Sequence, residues 1–279
     1  MSGGFPYIEP ARTRPDYGMQ VEILVSLIYH FFVRPGDKVV DGGAAGAAHT
    51  VPLSRLVAPT GKVYAFEASP PVAAWLDTYL AGLDTAACID LRATALGNRA
   101  ATVEFIVDRA HPGMSHVRRG GESAPEIAQD RAMALVPMVT LDEALRNQGP
   151  ITFMKLDLEG MDFLALRGGI DLIMRDRPLI VFENARPNEP DEYFGFFDAI
   201  GYDVYDVHNI LLTRDNWRSA GVSYEAICGP RGGHALAQAR ILSDWFWRTL
   251  AQRPLLSSWE QVRTTCLDCL GYILDQAVP

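Results

Sequence analysis

The stretch from Val39 to Thr50, VVDGGAAGAAHT, constrains the fold more than any other part of the chain. Two β-branched residues lead into an acid, glycines and alanines follow, and an apolar helical pattern resumes at Val51. Glycine lets a backbone approach a bound molecule closely, and open α/β sheets bind ligands beyond the carboxyl ends of their strands. The spacing therefore predicts a first strand over Lys38 to Asp41, a ligand-bearing turn, and a helix over Val51 to Val57. Thr50 is its candidate N-cap, with Pro52 tolerated in the first turn.

The same grammar repeats downstream. A helix is predicted from about Met19 to Phe32, ahead of the Arg34-Pro35-Gly36-Asp37 turn. Val63 to Phe66 reads as a second strand with Glu67 at its end, and Ser69 caps a helix running to Gly82. Ile89 to Leu96 and Ala101 to Val107 read as further strands. Residues 108–137 lack periodicity and are expected to form a long, partly ordered insertion. Thr140 to Glu143 fits a capping box. Ile151 to Leu156 and Pro178 to Glu183 are core strands, Asp191 to Ile200 a helix, and Tyr202 to Val207 with Ile210 to Thr213 a hairpin. Tyr224 to Cys228 is a candidate last strand. The alternation predicts an α/β domain over 21–232 with a mostly parallel sheet covered on both faces. An N-terminal arm over 1–20 and a helical C-terminal extension over 233–279 flank it.

Bulk properties remove several functions. The formal charge is -9, from 34 acids against 25 bases, and no basic run exists to track a phosphate backbone, so nucleic acid is not expected as a partner. The longest apolar run, Val21 to Val33, is too short to span a bilayer and carries Glu22 and His30. Four cysteines in 279 residues are no disulfide framework. A cytoplasmic protein without a membrane partner is the expectation.

Three readings compete for the glycine turn: a nicotinamide site, an S-adenosylmethionine site, and a tight turn with no ligand. A nicotinamide site prefers Gly-x-Gly-x-x-Gly with an acid about 20 residues on. Here Asp41 stands before the glycines, an order that suits S-adenosylmethionine, whose amino-acid end needs an acid and bare backbone. Glu67 can take ribose hydroxyls in either case. No tyrosine lies four residues before any of the three lysines, which disfavours a short-chain dehydrogenase.

The second informative stretch is FMKLDLEG, Phe153 to Gly160. Strand alternation puts Lys155, Asp157 and Glu159 on one side and Met154, Leu156 and Leu158 on the other. Three ionisable groups converging where a ligand crevice should lie must pair or act. Carboxylates at Asp157, Glu159 and Glu183 also suit Mg²⁺, which is a possible cofactor but not the expected one. His49, His111, Ser115 and His116 are weaker candidates, best read as backbone-satisfying or exposed loop residues. Cys266 and Cys269 read as helix packing before zinc. Trp245-Phe246-Trp247 reads as tail-to-core or homodimer packing.

Taken in order, VVDGGAAGAAHT, VYAFEASP, ATALGN, VTLDEAL, FMKLDLEGMDFLALRGG and LIVFENA resemble the FkbM-type S-adenosylmethionine-dependent methyltransferases over roughly Val39 to Glu183. The Lys-x-Asp-x-Glu-Gly block is the most specific element. The resemblance implies a Rossmann-like class I methyltransferase fold with a seven-stranded sheet, and O-methylation of a hydroxyl on a small-molecule or sugar-containing metabolite. It implies a cofactor site drawn from Asp41, Gly42, Gly43, Ala44, Gly46, Thr50, Glu67, Ala68, Leu96 and Gly97. Asp41 and Gly43 would take the methionine end and Glu67 the ribose. Lys155, Asp157 and Glu159 would be catalytic, with a carboxylate as base. The sequence departs from the family at the turn, where Ala47 stands at the usual second glycine and Gly46 comes one residue early. A methyltransferase fold that binds the cofactor or acts as a scaffold without turnover is the alternative of a different class.

Overall fold

The computed structural model describes residues 14–120, 130–184, 190–217, 219, 223 and 225–250. The chain opens with α1 (Tyr17–Phe32), β1 (Lys38–Gly42), α2 (Thr50–Val57), β2 (Lys62–Phe66), α3 (Pro70–Ala81) and β3 (Ile89–Arg92). The short β4 (Ala95–Leu96), the long β5 (Ala101–Asp108), β6 (His116–Val117) and β7 (Arg131–Val139) follow. Then come α4 (Leu141–Leu145), β8 (Ile151–Leu156), α5 (Asp162–Arg167), α6 (Ile170–Asp176), β9 (Leu179–Glu183) and α7 (Pro190–Ile200). The described chain ends with β10 (Tyr202–Asp206), β11 (Glu225–Pro230) and α8 (His234–Leu250).

Seven strands form the main sheet in the order β10-β11-β9-β8-β1-β2-β3. Five of them, β9 to β3 in that order, run parallel, and β11 pairs antiparallel with both β9 and β10. This is the mostly parallel sheet expected. The chain order reverses direction at β1, which starts in the centre and is followed outward by β2 and β3 before β8 returns to its other side. Ligand crevices open at such a switch point.

Alternation along the central strands feeds two cores. Val39, Phe153, Leu179, Val181 and Ile227 join residues of α1, α2 and α8 on one face. Val40, Met154, Leu156, Ile180, Phe182 and Ala226 join residues of α4 to α7 on the other. The same alternation puts Asp41, Lys155, Glu183 and Glu225, at the carboxyl edge, on the α1 face. Trp247 and Phe246 are buried in that core, and the Trp247 indole N–H donates to the Val207 carbonyl at 2.6 Å, so this part of the tail packs on the domain. The rest of the expected C-terminal extension, Cys266 and Cys269 included, and residues 1–13 of the N-terminal arm lie outside the described residues.

Several expectations need correcting. The strand predicted over Ile89 to Leu96 is two: β3 pairs with β2 in the main sheet, and β4 pairs with β7 in a second, four-stranded sheet of order β4-β7-β5-β6. The expected insertion over 108–137 loses its end to β7, which pairs antiparallel with β5 through eight registers from Ala101 with Met138 to Asp108 with Arg131. Its pattern escaped notice because the inward residues are Ala132, Ala134, Val136 and Met138 while the outward row holds exposed Met133 and Leu135, which blurs the contrast between faces. The predicted hairpin after Tyr202 is reduced to one bridge, Tyr205 with Leu211, because β10 takes β11 as its ladder partner. Thr50 is the first residue of α2 and not a side-chain cap; its hydroxyl turns to Asp41. Ser69 holds the N-cap position of α3 without a side-chain cap bond. The Thr140 hydroxyl does accept the Glu143 N–H, as the capping box requires.

Candidate active site

The glycine turn is built by backbone conformations that few residues tolerate. Gly43 has φ +80°, and a Cβ there would stand 2.0 Å from the Asp157 carbonyl oxygen, so β1 and β8 can meet at their ends only over a bare backbone. The N–H groups of Gly43 and Ala44 donate to the Phe66 carbonyl, and the Ala45 N–H donates to Glu67 Oε2 at 2.9 Å. Glu67 Oε1 accepts the Ser69 N–H at 2.7 Å, so this carboxylate ties the turn to the start of α3. Burial raises its pKa, partly opposed by these donors.

Ala45 and Ala47 both sit in left-handed backbone, at φ +43° and +61°. Ala47, at the position where the family places its second glycine, therefore adopts a conformation that favours glycine and carries it with a Cβ. Gly46 meets no neighbour within 4 Å and opens onto the surface side of the turn.

Behind the turn, Asp41 is fully buried; its Oδ2 accepts the Thr50 hydroxyl at 2.5 Å and its Oδ1 has no hydrogen-bond partner. Across the sheet Asp41 is in register with Lys155. Lys155 Nζ donates to Asp157 Oδ2 at 3.1 Å. Burial opposes the lysine's charge, but Asp157, Asp41 and Glu22 together hold its pKa above the ordinary value. It stays protonated.

Strand alternation brings Lys155 and Asp157 together as expected and fails at Glu159, because β8 ends at Leu156 and Glu159 lies in a turn at φ +51°. Arg119 donates to the Glu159 carbonyl there, and Gly160, at φ +89°, leaves room for that guanidinium. Asp162 stitches the turn from inside, accepting the Leu158 and Gly160 N–H groups. Burial, with Glu183 and Asp157 nearby, pushes its pKa well up. Burial and the neighbouring Asp157 likewise raise Glu159, and burial with Asp157 and Glu159 lifts Glu183 to about 6.

These elements enclose a cavity of about 640 Å³, the solvent at its mouth included. Its lining is mixed: Glu67, Asp157 and Glu159 with the turn residues Gly43 and Ala45, and apolar Phe66, Ala68, Ala95, Leu96, Leu158 and Met161. Phe105 and Val117 of the small sheet, with Pro112, Gly113 and Ser115 from the segment between β5 and β6, complete its lining. A second cleft, lined by Gly46, Ser69, Val72, Trp75 and Arg109, continues from it past Ala45, Glu67, Pro112 and Gly113.

Of the residues singled out in the sequence, Gly43, Glu67, Ala68, Leu96, Asp157 and Glu159 line the cavity, and Gly46 lines the adjoining cleft. Asp41, Thr50 and Lys155 form the buried layer behind it. Ala44 belongs to a core cluster, and Gly42 and Gly97 are packing glycines: a Cβ at Gly42 would meet Leu156, and one at Gly97 would meet Met138. Ser115 is a wall residue whose hydroxyl accepts the Asp108 N–H, while His111 is exposed beside it. His49 reaches Glu22 on α1 at 2.8 Å. Glu22 escaped the sequence reading as a site residue, although a lone acid in an otherwise apolar helix was its signal. The walls from Phe105 to Val117 carried no such signal.

Strand order and a carboxyl-edge cavity with an acid, a glycine turn and a second acid after β2 define a class I methyltransferase fold. The Methyltransferase FkbM domain model matches residues 41–211, and the chain belongs to that family. No curated protein matches the sequence. Among solved structures, methyltransferase FkbM from Methylobacillus flagellatus KT is 14% identical with a TM-score of 0.44, over 80% of this chain and 58% of that one. The chain thus spans under two thirds of that protein. An O-methyltransferase from Bacillus cereus in complex with SAH is 12% identical, TM-score 0.39, over 83% and 93%. A SAM-dependent O-methyltransferase from Thermotoga maritima is 14% identical, TM-score 0.38, over 81% and 72%. Among the described residues no helix is long and apolar enough to cross a membrane.

Proposed function

We propose that the chain transfers a methyl group from S-adenosylmethionine to a hydroxyl of a small-molecule or sugar-containing metabolite. The observation that carries this is the placement of Asp157, which lines the cavity and whose carboxylate accepts from Lys155.

The residues present fit the cofactor. Asp41 Oδ1 is a buried acceptor without a donor, of the kind an ammonium group or its water would satisfy. Glu67 retains lone pairs for ribose hydroxyls beyond its backbone bonds, and the apolar lining that includes Leu96 and Met161 suits a flat base. When bound, the cofactor supplies an electrophilic methyl carbon. The chain must align the acceptor oxygen and take its proton, worth about 10²- to 10⁴-fold for a positioned base. Lys155 cannot abstract that proton because its own carboxylate neighbours keep it charged; it orients Asp157, which accepts. Glu159 also lines the cavity.

The proton is assigned to Asp157, and no step runs through Mg²⁺. The excess of acids argues against a nucleic-acid acceptor. A screen for transfer of labelled methyl to hydroxyl-bearing metabolites, run with wild type and Asp157→Asn, tests the proposal. Transfer by the wild type and none by the variant is expected. Cofactor binding without transfer to any acceptor class would replace the enzyme by a binding module.

A further inference from the structure

We propose that the open edge of β7 is the surface through which two copies of this chain pair, strand against strand about a two-fold axis. This surface lies on the small sheet, away from the cavity lining, and needs no cofactor to form.

In the four-stranded sheet β7 has β5 on one side over its length, while β4 on the other side meets only Met138 and Val139. Hydrogen bonds around this ladder show which backbone groups face the open side. The Asp130 carbonyl points toward β5 and accepts the Arg109 N–H at 2.7 Å. The carbonyls of Pro137 and Val139 point the other way, accepting the Thr94 hydroxyl and the Gly97 N–H. Backbone groups alternate sides along an antiparallel strand, so the N–H and C=O groups of Arg131, Met133 and Leu135 point away from β5. Among the described residues no strand pairs with these three on that side. A row of unpaired backbone groups is a template for another strand.

Sheet edges are commonly blunted by lysine, proline or a bulge. Here the outward row carries Met133 and Leu135, 44% and 72% exposed, and proline enters only at Pro137, past the open stretch. The open residues are spaced evenly about Met133, which makes the stretch its own partner. In an antiparallel pair centred there, Met133 meets Met133 of the second copy, and Arg131 of each copy meets Leu135 of the other. Each pair exchanges two backbone hydrogen bonds. The side chains match in the same register. Leu135 stands beside Glu104 of β5, whose side chain is half exposed. Arg131 of the second copy lays its aliphatic stem over Leu135 with its guanidinium toward that carboxylate. A cation at one end of the stretch and an exposed leucine flanked by an acid at the other are what a reversed copy of the same strand complements. Pairing joins two small sheets, whose Phe105 and Val117 line the two cavities, into one.

Sedimentation velocity of the full chain over a wide concentration range tests the pairing. The wild type is expected to move with rising concentration toward twice the mass of one chain. Leu135→Lys sets a charge against Arg131 of the second copy, and Met133→Pro removes an N–H that β5 does not use. Each should abolish the shift and leave the far-ultraviolet circular dichroism unchanged. Ile241→Lys, at a 70% exposed apolar residue of α8, should leave the shift intact. A wild type of single-chain mass at every concentration, the edge then belonging to another segment of this chain or to another protein, would overturn the proposal. So would a dimer that survives both β7 variants, or one that Ile241→Lys abolishes.

Discussion

The two sheets build one cavity in opposite ways. The seven-stranded sheet is covered on both faces and brings polar groups to the carboxyl ends of its strands: Asp41 after two valines, Lys155 and Asp157 around Leu156, Glu183 after Phe182. The four-stranded sheet delivers apolar wall, Phe105 and Val117, with Ala95 and Leu96 from its edge. The acids are thus anchored on the large sheet, and the wall over them belongs to the β5–β7 pair. On the proposed reading, positional precision is needed where a proton moves, and less where a flat group is shielded from water.

The sharpest way to break this division is at the charged end. Asp157→Asn should lower turnover by about 10²- to 10⁴-fold while changing cofactor affinity by less than about tenfold, read as a kcat loss without a matching KM loss. An equal loss in both would make Asp157 a binding residue.

Next in size is the meeting of β1 and β8. Gly43→Ala places a methyl group 2.0 Å from the Asp157 carbonyl, and something must move. A loss of about 2–4 kcal/mol in denaturant unfolding is expected, with cofactor binding lost alongside. A comparable change in the wall, Val117→Ala, should cost about 1–2 kcal/mol, because the site is near the edge of the small sheet. A larger loss from Val117→Ala than from Gly43→Ala would contradict this ranking of the two sheets.

Charge repulsion at the edge of the large sheet predicts a pH signature. Glu183 has a folded pKa of about 6, above its ordinary 4.5, so the folded state binds its proton more tightly than the unfolded chain does. The repulsion is absent below about pH 4.5 and grows in full as pH rises through 6. Glu183→Gln should therefore stabilise the protein by up to about 2 kcal/mol above pH 7 and have no such effect at pH 4.5. Urea titrations at the two pH values check the sign. The smallest effect concerns Ala47: its left-handed backbone should make Ala47→Gly neutral to stabilising by about 1 kcal/mol, where the same change inside α2 would destabilise. A clear loss at Ala47 would mean that its methyl group packs more than its backbone strains.

The division between the sheets also marks what was legible in the sequence. Asp41, Gly43, Glu67 and Asp157 are short-range features: each follows directly from a strand whose apolar residues announce it, and the structure lines or backs the cavity with all four. Glu159 was placed by extending a strand period one turn too far, since nothing local marks the end of β8 before Gly160. The wall depends on β5 finding β7 across some 20 residues, and β7 carries Met133, Leu135 and Pro137 on its outward row, so it reads as a loop. Glu22 joins the site through the docking of α1 on β1 and β8; its place as the lone acid of an apolar helix marks it, but not where it docks. Gly42 and Gly97 have a packing reason that the motif does not reveal, since a Cβ at either would meet Leu156 or Met138.

The most direct test of the central claim is a crystal structure with S-adenosylhomocysteine bound. The base is expected against the apolar lining that includes Leu96 and Met161, the ribose on Glu67, and the amino-acid end against Gly43 with Asp41 behind it. A ligand seated in the cleft along Ser69 and Trp75, with the lining at Leu96 left to solvent, would contradict it.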